Sequence, residues 1–446
     1  MAEELLSYRT AFESFEKKSG VKSPPWIHPL RRTALSKFTE IGFPTPREED
    51  WKYTNLSPYI KTPFRFSFEP FLDGLNREKV EPLVLAKTKG PVLVFVNGFY
   101  SKELSRVSGL PQGVKVGSLA SALQEHSKLV ERHLGKIAPH EKNGLTALNT
   151  AFIQDGAFVY LPEGKSLEEP IYLLFIALPS EERLIFQPRN LIILDRASQA
   201  TFVENYVSLS KNFYFTNAVT EITLNEGAAG RHYKIQREGK TNACHVATTQ
   251  VHLGRHSRFS SFSISLGAKC ARENLNVLLD AEETECTLNG LYLVSEGRHV
   301  DHHTLIDHRK PHGRSRQLYK GIIEGKSTAV FNGKVFVHKN ARKTDAEQTN
   351  KNLLLSEEAT VDAKPQLEIY NDDVKCTHGA AVGQLDEEQV FYLKSRGMNE
   401  EEARSLLTYG FASEVLHRVE NEAIRSALDP LLWDWLQKNQ SLEMTV

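Results

Sequence analysis

Three stretches of the sequence carry residue types that can do chemistry. Cys376-Thr377-His378 puts a thiol and an imidazole two residues apart. In an extended strand such residues face one side, so the pair can hold one metal ion together. Thiolate and imidazole both serve as ligands in iron–sulfur chemistry. Two ligands are too few to hold a cluster, so a partner would supply the rest. By spacing alone, a buried cysteine beside a hydrogen-bonded histidine is the plainer reading.

The second stretch is rich in histidine: His299, His302, His303, His308 and His312. Along an extended chain His299 and His303 share one face, while His302 and His308 share the other. They do not converge locally, and polar packing is a plainer role than a metal site. The third stretch, Gly321-Ile-Ile-Glu-Gly325-Lys326-Ser327, has three residues between its glycines, where a phosphate-binding loop needs four. Thr328-Ala-Val-Phe331 continues as strand, so no helix N-terminus follows to hold phosphates. The stretch reads as a β-turn.

At 446 residues the chain is too long for one ordinary compact unit. Its 55 basic and 56 acidic residues balance, which points to neither a nucleic-acid nor a membrane surface. No apolar run reaches the length of a membrane span. The acidic start Met-Ala-Glu-Glu is unlike a signal peptide, so a cytoplasmic location is expected. Cys244, Cys270, Cys286 and Cys376 are too few and too dispersed for a disulfide framework. No Cys-x-x-Cys pair exists, so no structural zinc site is expected from this chain alone.

Elements must place these residues. Leu5, Leu6, Tyr8, Phe12 and Phe15 follow helical spacing, as do Leu30, Leu35, Phe38 and Ile41. Pro44 and Pro46 end the second helix. Residues 91–96 read as a buried strand and 115–135 as helix. From about 170 to 380 strand-length runs take over, and one phrase returns: an apolar residue, a polar turn, a small residue, a new strand. Its leading residues are Leu194, Leu224, Leu253, Leu279, Ile323 and Leu355, at intervals of 30, 29, 26, 44 and 32. The long interval suggests an inserted loop. Stacked coils of a β-solenoid give such a period; a β-sandwich with irregular hairpins remains open on this pattern. After 385 helices return. Asp386 with Gln389, and Asn399 with Glu402, have capping-box spacing, and Gly397 suits a left-handed helix end. Leu406, Leu407, Gly410, Phe411, Glu414 and Val415 continue in helical register, and a last helix runs to about Gln437.

Longer runs carry a family resemblance. Gly42-Phe-Pro-Thr-Pro-Arg-Glu-Glu-Asp-Trp-Lys-Tyr-Thr54, Asp301-His-His-Thr-Leu-Ile-Asp-His308, Pro311-His312 and Tyr319-Lys-Gly321 resemble segments of the SufB/SufD family. The strongest likeness runs from Lys364 to Ala380 and on through Asp386-Glu-Glu-Gln-Val-Phe-Tyr-Leu-Lys-Ser-Arg-Gly397. Gly379 stands where the SufB branch has Glu, and the extra N-terminal cysteines of that branch are absent. The chain therefore looks like the SufD branch; a SufB-like paralogue is the alternative.

The resemblance implies a mainly β fold, a right-handed parallel β-helix with helical parts at both ends. The expected division is 1–155 for a mostly helical N-terminal region, 156–385 for the β-helix and 386–446 for an ATPase-docking helical part. It implies a scaffold rather than an enzyme, paired with a SufB-like subunit through the end of the β-helix and with a SufC-like ATPase. Gln389, Tyr392, Arg396, Leu406, Tyr409, Gly410 and Phe411 are the expected ATPase-docking residues. His378 and Cys376 are the candidate ligands of a transient iron–sulfur cluster at the partner interface. No cofactor is expected to bind stably to this chain alone; a reduced flavin on the complex and a homodimer in isolation are compatible with the resemblance. A β-helical carbohydrate-active enzyme is the rival, and would need clustered carboxylates or Arg and Lys on one outer face.

Overall fold

The computed structural model describes residues 2–440 apart from 20–22, 62–63, 211 and 240–241. Among them, strands wind alternately into two sheets, one of eleven and one of ten strands. Beyond one antiparallel pair at the start of each sheet, neighbouring strands pair in parallel and in register, as in Leu224 beside Leu253 and Leu253 beside Leu279. The result is a β-solenoid of about eight turns.

Alternation along each strand decides what goes inside. In Thr328–Val337, Ala329, Phe331, Val335 and Val337 are buried between the sheets, while Asn332, Lys334 and Phe336 face outward. Stacking repeats this inner file from coil to coil, so Leu194, Leu224, Leu253 and Leu279 join one continuous core with Phe202, Phe259 and Phe331.

The recurring phrase is a stacked corner. Ala197, Gly227, His256, Glu283, His312 and Lys343 all have φ between 53° and 68°. The left-handed conformation costs a side chain about 1–2 kcal/mol, and five of these six residues bear one. Each donates its backbone N–H to the next coil, as Ala197 does to Glu226 (2.9 Å) and Lys343 to Asp373 (2.7 Å). The 44-residue interval is not an inserted loop. Leu279 pairs with His308 in one sheet, whereas Ile323 pairs with Val294 in the other. The phrase crosses from one edge to the other there, because both corners of a coil use the same turn chemistry.

Each outer face has its own cover. Tyr8, Phe12, Phe15 and Phe38 of helices Ala2–Ser19 and Ile27–Ile41 pack toward Phe215, Cys244 and Cys270 of the eleven-stranded sheet; the side chains of Leu5 and Leu6 lie outside the described residues. On the ten-stranded sheet, Ala412, Val415 and Leu416 of helix Glu400–Leu416 and Leu428 and Leu432 of helix Glu422–Gln440 cover Leu291 and Leu318. The expected helix at 115–135 is divided: Lys115–Ser118 is a strand, paired antiparallel with Ala157–Leu161, and helices Leu119–Glu125 and Ser127–His133 follow. Ser118 caps the first helix by accepting from Ser121 N–H, which fixes its start.

The two ends of the stack differ. At the beginning, the sheets stop in strands of four and two residues, Lys115–Ser118 and Phe99–Tyr100. At the other end Thr360–Ile369 and Lys375–Gly383 are each paired on one side only. Long unpaired edges are ready to bind another strand.

Candidate functional site

Cys376 and His378 stand on Lys375–Gly383, the last strand of the ten-stranded sheet. Their ladder partners are Ala346 and Gln348, both buried inside the solenoid. Register therefore turns Cys376, His378, Ala380 and Val382 toward the interior, at the mouth of the final coil. Across the mouth, Ala363, Pro365, Leu367 and Ile369 continue the inner file of Ala329–Val337. Cys376 is half-buried against Val335, Val337, Ala341 and Ala346, and burial pushes its thiol up. His378 is exposed. Ile369 and Val382 remain 39% and 50% exposed, so the mouth is an uncovered apolar surface with a thiol and an imidazole at one side. Among the described residues no group of three or more His, Cys, Asp or Glu side chains is arranged to hold a metal.

The histidine-rich strand His299–His308 divides its residues as alternation requires. His302 lies inside, beside Ser265 (3.1 Å) and Glu273 (3.6 Å), stacked on Tyr292. His308 is inside too, with Ser315 at 2.9 Å, and burial pushes it down to about 4. His299 and His303 face out, toward Thr54 (2.8 Å) and Asp301 (3.0 Å). His312 occupies a corner. The five do not share a site.

Sequence reasoning missed what the outward side of that strand holds. Burial alone would raise the Asp301 carboxyl, yet Arg272 and His303 keep it well below the usual carboxylate range. Arg272 bonds Asp301 (2.8 Å) and the Asp50 carbonyl (2.6 Å) and lies over the Trp51 ring. Thr54 donates to Asp301, and Lys364 reaches Glu49. The Gly42–Thr54 and Asp301–His308 motifs thus meet. No spacing rule in the sequence links them.

The glycine-rich stretch 321–327 is a corner between strands Arg314–Ile323 and Thr328–Val337, with Gly325 left-handed. Lys326 pairs with Glu358 (2.9 Å). All four cysteines are free thiols, and Cys244, Cys270 and Cys286 are buried.

Three residues, 384–386, separate the last strand from helix Glu387–Ser395. Asp386 caps it by accepting from Glu388 N–H; the box that closes in both directions is Asn399 with Glu402. Gln389, Tyr392, Arg396, Leu406 and Gly410 are exposed. Arg396 donates to the Tyr392 hydroxyl. Phe391, which the sequence reading passed over, is 73% exposed. Tyr409 and Phe411 are turned inward: Tyr409 bonds Asp429 and stacks on Trp433, and Phe411 lies under Lys320. Lys320, buried in the sheet, also donates to the Phe411 carbonyl (2.7 Å) and to Glu414, pinning helix to solenoid.

Comparison with known proteins covers nearly the whole chain. Residues 176–411 match the family described as SUF system FeS cluster assembly, SufBD core domain, and residues 2–173 match the SufBD protein N-terminal region. The chain is 34% identical to an iron–sulfur cluster assembly SufBD family protein of Synechocystis, over 89% of this chain and 88% of that one. It is 33% identical to the iron–sulfur cluster assembly protein SufD of Escherichia coli, over 89% and 90%. It is 28% identical to that of Bacillus subtilis, over 93% and 95%.

Proposed function

Because the chain belongs to the SufBD family of the iron–sulfur cluster assembly system, on its SufD-like side, we propose that it is a scaffold subunit whose open coil end pairs with a SufB-like subunit. In this reading the partner covers the apolar mouth, and a nascent cluster forms as cargo at the seam. Cys376 and His378 contribute from this side and the partner supplies the remaining ligands, since Gly379 adds none. A SufC-like ATPase docks on the helices after 386, where Phe391, Tyr392 and Leu406 present apolar surface. The chain has no catalysis of its own in this scheme, a reduced flavin would act on the complex, and assembly takes place in the cytoplasm. Without its partner the open end pairs with a second copy.

The carrying observation is placement: a thiol and an imidazole face the mouth of an open coil, on a last strand that only residues 384–386 separate from the helices. ATP-driven movement of those helices could shift the last strand and expose its ligands. Coupling requires the ATP-bound partner to bind the two arrangements with different affinity. The test is His378→Ala in cells lacking the native copy. Cluster production should be lost while the three-protein complex still co-purifies; normal production would reject the role.

A further inference from the structure

Behind His378, inside the solenoid, three polar side chains form a relay. Gln317 Nε2 donates to Thr304 Oγ1 at 2.6 Å, and Gln348 Nε2 donates to Gln317 Oε1 at 3.0 Å. All three residues are at least 96% buried. Each amide spends its N–H toward the previous member, so the relay has a direction. It ends in one acceptor, Gln348 Oε1, which is buried and has no hydrogen-bond partner among the described residues. Such an atom inside a protein calls for a donor. The next residue along the ladder is His378, which register turns toward the same interior.

Gly333 makes room for this arrangement. A Cβ there would stand 2.1 Å from Gln348 Nε2 and 2.8 Å from Phe331 Cζ. The amide of Gln348 is therefore seated in the space a side chain would fill, with its orientation set by Gln317.

We propose that Gln348 is the positioning residue for His378: its side-chain oxygen accepts the proton on one ring nitrogen and leaves the other, unprotonated, facing out of the mouth. This rests on the reading of His378 as a ligand. At the uncovered end the ring is exposed; a partner closing the mouth turns it inward onto the waiting acceptor. A ligand histidine needs its second nitrogen held in this way, because the bond fixes both tautomer and ring direction.

The experiment compares Gln348→Leu, Gln348→Glu and His378→Ala in the assembled complex with the SufB-like subunit. Gln348→Leu removes the acceptor and should lower cluster production about tenfold or more, while Gln348→Glu, which keeps an acceptor, should restore most of it. Two-bond proton–nitrogen spectra of histidine-labelled complex should show one neutral tautomer of His378 in the parent and both in Gln348→Leu. Should Gln348→Leu fail to assemble, Gln348→Met keeps the length and serves in its place, and Gly333→Ala displaces the same amide from the opposite wall. An unchanged tautomer and unchanged cluster production in these variants, with His378→Ala inactive, would overturn the positioning role alone. Equal losses in the Leu and Glu variants would overturn it as well, by assigning Gln348 to packing. Full production in His378→Ala would overturn the ligand reading beneath it.

Discussion

The guanidinium of Arg272 sits 3.8 Å from the ring centre of Trp51. One residue comes from the N-terminal segment and the other from the middle of the solenoid, so this contact fastens the first part of the chain to the outer face of the coils. Trp51 is 5% exposed. Trp51→Ala should lower stability by about 3–5 kcal/mol, the usual cost of emptying a large aromatic site. Arg272 keeps Asp301, so no buried charge is stranded. Denaturant midpoints of the two proteins check this; equal midpoints would show that the segment is held by something else.

Acid should weaken the fold in two windows. Burial holds His308 neutral, at about 4 against 6.5 when free. The unfolded chain takes up its proton first, so this contribution is complete above pH 6.5 and is lost as pH falls toward 4, by about 3 kcal/mol. Glu204 follows. Burial would raise it, but the hydrogen bond and charge of His232 and the charge of Lys234 bring it to about 2, from 4.5. Its contribution is present above 4.5 and disappears toward 2. Urea midpoints against pH should fall across both windows, and His308→Gln should flatten only the upper one.

Gly321 belongs to packing, not phosphate binding. A Cβ there would stand 2.1 Å from Tyr292 Cε2 and 2.5 Å from Asn352 Oδ1. Gly321→Ala should cost about 1–3 kcal/mol, as overpacking does, seen as a lower melting temperature. Isothermal titration of the parent chain with ATP should give no heat of binding.

The exposed aromatic pair on helix Glu387–Ser395 should matter only to a partner. Phe391 and Tyr392 are 73% and 56% exposed. Phe391→Asp should leave the melting temperature within about a degree, since surface changes rarely exceed ~0.5 kcal/mol. Retention of the SufC-like ATPase on a column of the immobilised chain should drop. Undiminished retention would move the docking surface elsewhere.

Lys320→Met should free helix Glu400–Leu416 from the sheet. It removes the ammonium bonded to the Phe411 carbonyl and to Glu414, and leaves Glu414 only the longer contact with Lys351. Limited proteolysis should then cut between 384 and 420 faster than in the parent, with the solenoid intact. Equal cutting rates would place the anchor in the apolar contacts alone.

What the sequence disclosed was what one strand or one corner decides locally. The alternation that separates His299 and His303 from His302 and His308 is a property of extended backbone. The corners after Leu194, Leu224, Leu253 and Leu279 need a left-handed residue followed by a small one, and that need is visible as a repeated phrase. The step from Leu279 to Ile323 was misread because the two corners of a coil look alike in sequence, and only pairing tells the sheets apart. The contact of Trp51 with Arg272 was invisible for a different reason: it depends on which coil the N-terminal segment lies across. Cys376 and His378 were legible as a same-face pair, but their turning toward the mouth follows from Ala346 and Gln348 one coil below. Phe391 has the spacing of an ordinary helical apolar residue, and its exposure depends on how the helices settle on the sheet.

The unequal ends of the stack also bear on how many copies can join. A β-rod with two bare rims would add units indefinitely and grow into a fibre. Here one rim is blunted by strands of two and four residues, and the other is bare over nine and ten. Such a body can be extended once, by whatever meets its bare rim, and then has nothing left to offer. The geometry favours pairing at the bare rim and opposes growth from the blunted one.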